Sequence, residues 1–372
     1  MYRRIRKLLF NYIPAMLKAS ALRKAPFLYK AFEIKPSSAN IMLTNRCNLR
    51  CMMCKQWKGP FERELSAEDW KRVISDLKKN GIRSLHFTGG EPLLRNDLRE
   101  LIAYGTENGF AVGMTTNGML LDAGSLKGLV DSGLRSVAVS IDALDSEYEK
   151  VRGMAGSFAK VKKAVSAIGN AVRTRGMDAY INFTLMKGNM KELQRVKEFA
   201  DGYNIPVHVC LLDRSSSIFD IEENKNDFWI KTDDDFKELK ELTAFLKDEM
   251  TSNPRSLILN FPGVEYIERY FKDPRQASVP CVVSQDRIYI DPYGNLLSGC
   301  LSMGTFGNVA ARSFGELQKD GEYVCAKKKM FYKICPGCSC GYMYNIRSFP
   351  GLLIADVFAR AGYRSSSAKT RK

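Results

Sequence analysis

Three cysteines, Cys47, Cys51 and Cys54, fall in the run Cys47-Asn48-Leu49-Arg50-Cys51-Met52-Met53-Cys54. Thiolates on so short a loop can converge on one metal centre, and at this spacing they suit iron-sulfur clusters. Three protein ligands for four irons would leave one iron open, and an open coordination position separates a reactive metal site from a structural one. The blander readings are a zinc site one ligand short, or three incidental buried thiols. A second group stands near the C-terminus, with Cys281, Cys300, Cys335, Cys338 and Cys340 close in sequence and Cys325 among them. Spaced pairs brought together by a hairpin bind zinc or an iron-sulfur cluster equally well on ligand count. Only two histidines exist. A metal site built mainly of His is therefore poorly supported, as is a hydrolytic triad, and His86 and His208 are expected to be wall or core residues.

The elements that must position these groups are legible as alternating β-rich and helical runs. Strands are predicted over 40–44, 84–88, 111–115, 136–141, 179–185 and 206–211. Between them, 66–79, 96–108, 124–132, 158–173 and 190–203 carry apolar residues at helical spacing. Six βα units in succession predict an α/β fold, a partial (β/α)6 TIM-like barrel, whose reacting groups sit on loops after the C-terminal ends of the strands. Each motif falls at such a place. Beyond Leu212 the pattern breaks, and helices near 236–250 and 264–272 are expected to pack against the barrel or close it. From Cys281 onward a hairpin over 287–298, turning at Asp291-Pro292-Tyr293-Gly294, opens a small Cys-rich β-hairpin and helix domain. The expected divisions are 1–37, 38–275, 276–345 and 346–372.

Composition bounds the partners. The 372 residues carry 57 Lys and Arg against 41 Asp and Glu, a net charge of +16 that favours anionic partners: phosphorylated substrates, anionic lipid or nucleic acid. No run of about 18 apolar residues and no export signal is apparent, so a cytoplasmic location with reduced thiols is expected. Residues 1–37 and 346–372 combine apolar bulk with Arg and Lys, as in Arg3, Arg4, Arg6 and Lys7 ahead of Leu8 and Leu9. Such segments suit peripheral contact with anionic membrane, the alternative being that they wrap the bottom of the barrel.

The cysteine spacing, its position after a first strand and the loops that follow resemble the radical S-adenosylmethionine (SAM) superfamily, whose shared motif is Cys-x3-Cys-x2-Cys. The resemblance covers roughly residues 38–212 and, more loosely, the C-terminal region. It departs at Met53, where the family usually has an aromatic residue. The resemblance implies that Cys47, Cys51 and Cys54 hold a 4Fe-4S cluster whose fourth iron is chelated by SAM. Gly89-Gly90-Glu91-Pro92 resembles the loop that holds the SAM amino group, its glycines permitting close backbone approach to the ligand. Thr116 and Asn117 after the third strand, and Ser140 and Asp142 after the fourth, resemble positions lining the ribose and methionyl end. Arg152 would pair with the SAM carboxylate and Asn182 would reach the ribose hydroxyls. Their plainer readings are a helix N-cap for Ser140 or Asp142 and a solvated charge for Arg152.

Placed after such a barrel, the second cysteine group resembles the auxiliary-cluster domains called twitch and SPASM, the sparser cysteines here matching a twitch domain. Cys281, Cys300, Cys335 and Cys338 are the ligand set chosen, since a two-residue gap lets both thiols face one cluster; Cys325 and Cys340 are the alternates. The activity implied is reductive cleavage of SAM to a 5'-deoxyadenosyl radical that abstracts hydrogen from an unactivated C–H bond. The substrate would be lipid-linked, a glycan or a peptide, and a reductase or a flavodoxin- or ferredoxin-type protein would supply the electron. The competing reading is a non-catalytic, zinc-binding scaffold at a membrane surface.

Overall fold

The computed structural model describes residue 21 and residues 35–213, 228–259, 261–274, 281, 283–332, 334–335 and 337–338. Both basic amphipathic ends therefore lie outside the described residues, apart from residues 21 and 35–37. Six strands follow one another along the chain: β1 (Ser38–Thr44), β2 (Ser84–Gly89), β3 (Ala111–Thr116), β4 (Leu134–Ser140), β5 (Asp178–Leu185) and β6 (Val207–Leu211). All pair in parallel, each with the next. Between them run α1 (Ala67–Lys79), α2 (Leu98–Glu107), α3 (Ala123–Asp131), α4 (Asp145–Arg152), α5 (Ser157–Arg175) and α6 (Glu192–Asp201). The α/β architecture with six parallel strands is the one expected from the sequence.

Strand alternation sorts the two faces of the sheet. Ile41, Phe87, Met114, Val139, Phe183 and Val207 are fully or almost fully buried, in one apolar core with Trp70, Leu101, Leu129, Val165 and Leu193 of the helices. The residues between them point to the concave face and are polar and half-buried, among them Asn40, His86, Thr115, Ser136, Asn182 and His208. Close packing marks that face: a Cβ on Gly113 would stand 2.3 Å from Ser136 Oγ and 3.1 Å from His86 Nδ1. His86 reaches Thr115 Oγ1 at 2.7 Å, and burial pushes its pKa down to about 4. Both histidines thus line the concave wall.

Helix starts are locally encoded. Ser66 with Asp69, and Asp122 with Ser125, form reciprocal capping boxes at α1 and α3. After β6 come α7 (Asp233–Ser252) and α8 (Phe261–Lys272), longer than the 236–250 and 264–272 expected. Thr232 and Asp235 cap α7 in the same way, which accounts for the earlier start. The C-terminal part holds α9 (Val283–Asp286), β7 (Arg287–Ile290), β8 (Asn295–Leu297), β9 (Thr305–Asn308), α10 (Phe314–Leu317) and α11 (Gly321–Phe331). β7 pairs in parallel with β1, and β8 and β9 continue antiparallel, so one nine-stranded sheet runs β6-β5-β4-β3-β2-β1-β7-β8-β9. The hairpin covers the edge that β1 would otherwise expose. No helix among the described residues is long and apolar enough to cross a membrane.

Candidate metal centre and its supporting loops

The triplet hangs from the C-terminal end of β1. Thr44 and Asn45 both donate to Glu64 Oε1, at 2.8 and 2.9 Å, and Arg95 donates to Leu43 O and Leu65 O at 3.0 and 3.1 Å. These bonds fix the strand end from which Cys47 departs. Farther along, Arg50 N donates to Arg152 O at 3.1 Å and Met52 N to Val151 O at 3.0 Å, so the loop on either side of Cys51 is stitched to the last carbonyls of α4. Cys51 is buried, while Cys47 and Cys54 are half-buried. Met53, where an aromatic is usual in the resembling family, packs into the apolar core.

Electrostatics binds the three thiols into one group. Burial raises the Cys47 pKa, with Cys51 and Glu91 adding to the shift. Burial pushes Cys54 up to about 12, reinforced by Cys51 and Cys47. Donors nevertheless point at two of the sulfurs: Asn117 Nδ2 lies 3.8 Å from Cys47 Sγ, and Arg152 Nη1 lies 3.6 Å from Cys51 Sγ. Cys47 and Cys54 resist ionising alone, while a donor approaches Cys47 and a buried cation approaches Cys51, and this fits a centre that supplies its own positive charge. Among the described residues no three His, Cys, Asp or Glu side chains converge to hold a single metal ion. A four-iron cluster spreads its thiolates over separate irons, and the donor set present suits it.

The loop after β2 is bound to the same strand end. Gly90 N donates to Thr44 O at 2.7 Å and Glu91 N to Arg46 O at 2.8 Å. A Cβ on Gly89 would lie 2.3 Å from Thr44 O, and one on Gly90 2.1 Å from Arg46 O. Room for a ligand is what the sequence predicts at these glycines; in the structure the colliding atoms are the chain's own carbonyls. Glu91 is fully buried and caps a short 3-10 turn, Pro92–Leu94, with Pro92 at its first position. Its carboxylate accepts from Leu93 N at 3.0 Å, Thr116 Oγ1 at 2.8 Å and Asn117 N at 2.7 Å. Burial nonetheless pushes its pKa up to about 7, against those three bonds. Glu91 thereby ties the loop after β2 to the loop after β3. Asn117 extends the tie by donating to Asn48 Oδ1, at 2.7 Å, inside the cysteine loop.

Beyond β4, neither plain reading applies. Leu144, not Ser140 or Asp142, is the N-cap of α4. Arg152 is only 6% exposed and so is no solvated charge; its Nη2 stands 2.6 Å from Asp142 Oδ2. Asp142 also accepts from Thr184 N at 2.7 Å, and its backbone carbonyl takes a bond from the buried Asn189 at 3.2 Å. Ser140 is half-buried at the end of β4. Asn182, also half-buried, has its Oδ1 3.0 Å from His208 Nδ1, and Cys210 Sγ lies 3.4 Å from the same nitrogen. Glu64, Arg95, Asn48 and Asn189 were not singled out in the sequence, where isolated polar residues in loops carry no periodic signal. A cavity of about 250 Å³ lined by Leu126, Lys127, Ala171 and Arg175 lies between α3 and α5 and shares no residue with this site.

In the second cysteine group, Cys281 is buried, and Cys300, Cys335 and Cys338 are half-buried. A hydrogen bond from Cys338 lowers the Cys300 pKa against its burial, Ser302 N also donates at 3.4 Å, and Cys281 is near enough to oppose the shift. Cys338 therefore lies within hydrogen-bonding reach of Cys300, with Cys281 in their neighbourhood. Cys325 is exposed on α11, and Cys340 lies outside the described residues.

The model of the radical SAM superfamily matches residues 41–200. Fe-coproporphyrin III synthase of Methanosarcina barkeri is 37% identical over 170 residues, 45% of this chain and 41% of that protein. PqqA peptide cyclase of Granulibacter bethesdensis is 34% identical over 164 residues, 42% of each. The chain thus spans about two fifths of the length of these relatives. Among solved structures, Streptococcus suis SuiB bound to precursor peptide SuiA is 18% identical and superposes with a TM-score of 0.64, over 86% of this chain and 75% of that one, a likeness of fold. With the Cys-x3-Cys-x2-Cys loop, the Gly-Gly-Glu-Pro loop and the parallel strands in place, residues 41–200 are those of a radical SAM domain.

Proposed function

We propose that the protein is a radical SAM enzyme that modifies an unactivated C–H bond, with Cys47, Cys51 and Cys54 as the cluster ligands. The observation that carries this is the placing of three cysteines on one short loop beyond the end of β1, with donors from Asn117 and Arg152 aimed at two of the sulfurs. When bound, the cluster and SAM together supply a 5'-deoxyadenosyl radical that abstracts hydrogen from substrate. The chain's own residues hold and enclose that chemistry. Gly89, Gly90, Glu91 and Pro92 shape the amino-group side of the SAM site. Thr116, Asn117, Ser140, Asp142, Arg152 and Asn182 form the rest of its wall, at the C-terminal ends of β3, β4 and β5 or on the elements after them. Glu91 acts through the two loops it joins, keeping Asn117 against the cysteine loop. The polar concave face of the sheet, with His86 neutral, provides hydrogen-bonding groups to orient a substrate.

Residues 276–345 are read as an auxiliary-cluster domain with Cys281, Cys300, Cys335 and Cys338 as ligands. An electron donor of the reductase, flavodoxin or ferredoxin type completes the system. The charge of +16 supports an anionic substrate, lipid-linked or a glycan intermediate, while the likeness to a peptide cyclase supports a peptide. Anaerobic reconstitution tests the reading: bound iron, sulfide and a brown chromophore, with 5'-deoxyadenosine formed from SAM under a strong reductant. Cys51→Ala should abolish that cleavage. A colourless protein holding zinc and inert to SAM would instead support a scaffold.

A further inference from the structure

We propose that Arg152 is a positioning residue for the cluster, held by Asp142 behind Cys51, and that it raises the cluster's reduction potential. This inference rests on the reading of Cys47, Cys51 and Cys54 as cluster ligands. α4 ends against the cysteine loop, its final carbonyls accepting from Arg50 N and Met52 N. A helix C-terminus carries roughly half a negative charge, which is unfavourable next to thiolates. Arg152 is the last residue of that helix and puts a buried cation at the same spot.

The guanidinium is poorly satisfied by the protein alone. Nη2 makes its 2.6 Å approach to Asp142 Oδ2 as an ion pair, but neither it nor Nε makes a directed hydrogen bond. The directed bond is from Nη1 to Cys51 Sγ. The Tyr148 ring covers the other side at 5.5 Å, and its buried hydroxyl also lacks a partner. A buried arginine short of acceptors costs stability unless an anion answers it. The neighbouring anion would be a thiolate-ligated cluster. Hydrogen bonds to the sulfurs and nearby charge are among the terms that set an iron-sulfur potential. A cation beside Cys51 stabilises the state with one more electron. Asp142 both aims that cation and moderates its field.

The two residues must therefore act in opposite directions, which a purely structural role would not produce. The test is an EPR-monitored redox titration of the anaerobic holoprotein, following the reduced-cluster signal that is absent in Cys51→Ala. Arg152→Met should bind iron as the wild type does but lower the potential, with about tenfold less reduced cluster at a fixed applied potential, or about 59 mV for one electron. Arg152→Lys should recover part of the shift, and Asp142→Asn should move the potential upward. If Arg152→Met assembles no cluster, the Lys and Asn variants decide, and wild-type potentials in both overturn the inference. An unmoved potential in Arg152→Met with weakened SAM binding also overturns it, leaving Arg152 as a SAM contact. A wild-type protein lacking any signal removed by Cys51→Ala would instead sink the cluster reading itself.

Discussion

Glu91 shows what a single side chain does here. It is fully buried, and three donors from two different loops meet its two oxygens. A glutamine has the same shape but turns one acceptor into a donor. Facing Leu93 N on one side and Asn117 N on the other, Gln would lose one bond and leave a buried N–H without an acceptor. Glu91→Gln should therefore lower stability by about 1–3 kcal/mol, read from urea unfolding of the cluster-free protein. An unchanged midpoint would mean that Glu91 does not join the loops. The importance of Glu91 was legible from Gly-Gly-Glu-Pro, and that of Asn117 from its place after a strand. Their connection was not, because a separation of 26 positions leaves no periodic trace of a tertiary hydrogen bond. Arg152 was legible as a cation near the site, whereas its pairing with Asp142 emerges only once α4 returns it to the end of β4.

At the scale of elements, α4 is the part the sequence concealed. Its eight residues, Asp145 to Arg152, are mostly charged and bury only Tyr148 and Arg152, too little for a helical hydrophobic period. The six strands were legible because apolar alternation and β-branched residues repeat along each of them. What α4 does depends on its end. Gly153 closes it in the left-handed region at φ 66°, and a Cβ there would come within 2.5 Å of Arg50 O in the cysteine loop. Gly156 has a similar φ of 72° with nothing within 4 Å. The two glycines separate backbone strain from collision. Gly156→Ala should cost only the strain, about 1 kcal/mol. Gly153→Ala should cost more and should also displace the cysteine loop, so its reconstituted iron should fall while that of Gly156→Ala stays at the wild-type level. Equal iron in both variants would show that α4 is not the seat of the loop.

For the whole molecule, the nine-stranded sheet relates the two cysteine groups. β7 is parallel to β1, with Tyr289 beside Asn40, while β8 runs back and sets Leu297 beside Tyr289. Cys47 leaves β1 beyond Thr44, four residues above that level, or roughly 13 Å at about 3.3 Å per residue. Cys300 follows Leu297 in the opposite direction, and Cys281 precedes β7 at its N-terminal side. The second group therefore lies toward the end of the sheet away from the Cys47 loop. A centre there would be remote from the proposed SAM-binding loops, suiting electron transfer or structural support more than contact with the reacting carbon. The hairpin was legible from Asp291-Pro292-Tyr293-Gly294, but its attachment to β1 was not, since strand pairing across more than two hundred residues has no local signature. Cys300→Ala should lower bound iron from about eight to about four per chain, and a reduced protein should still convert SAM to 5'-deoxyadenosine. Loss of that cleavage as complete as in Cys51→Ala would place the second centre on the path of the electron that starts the reaction.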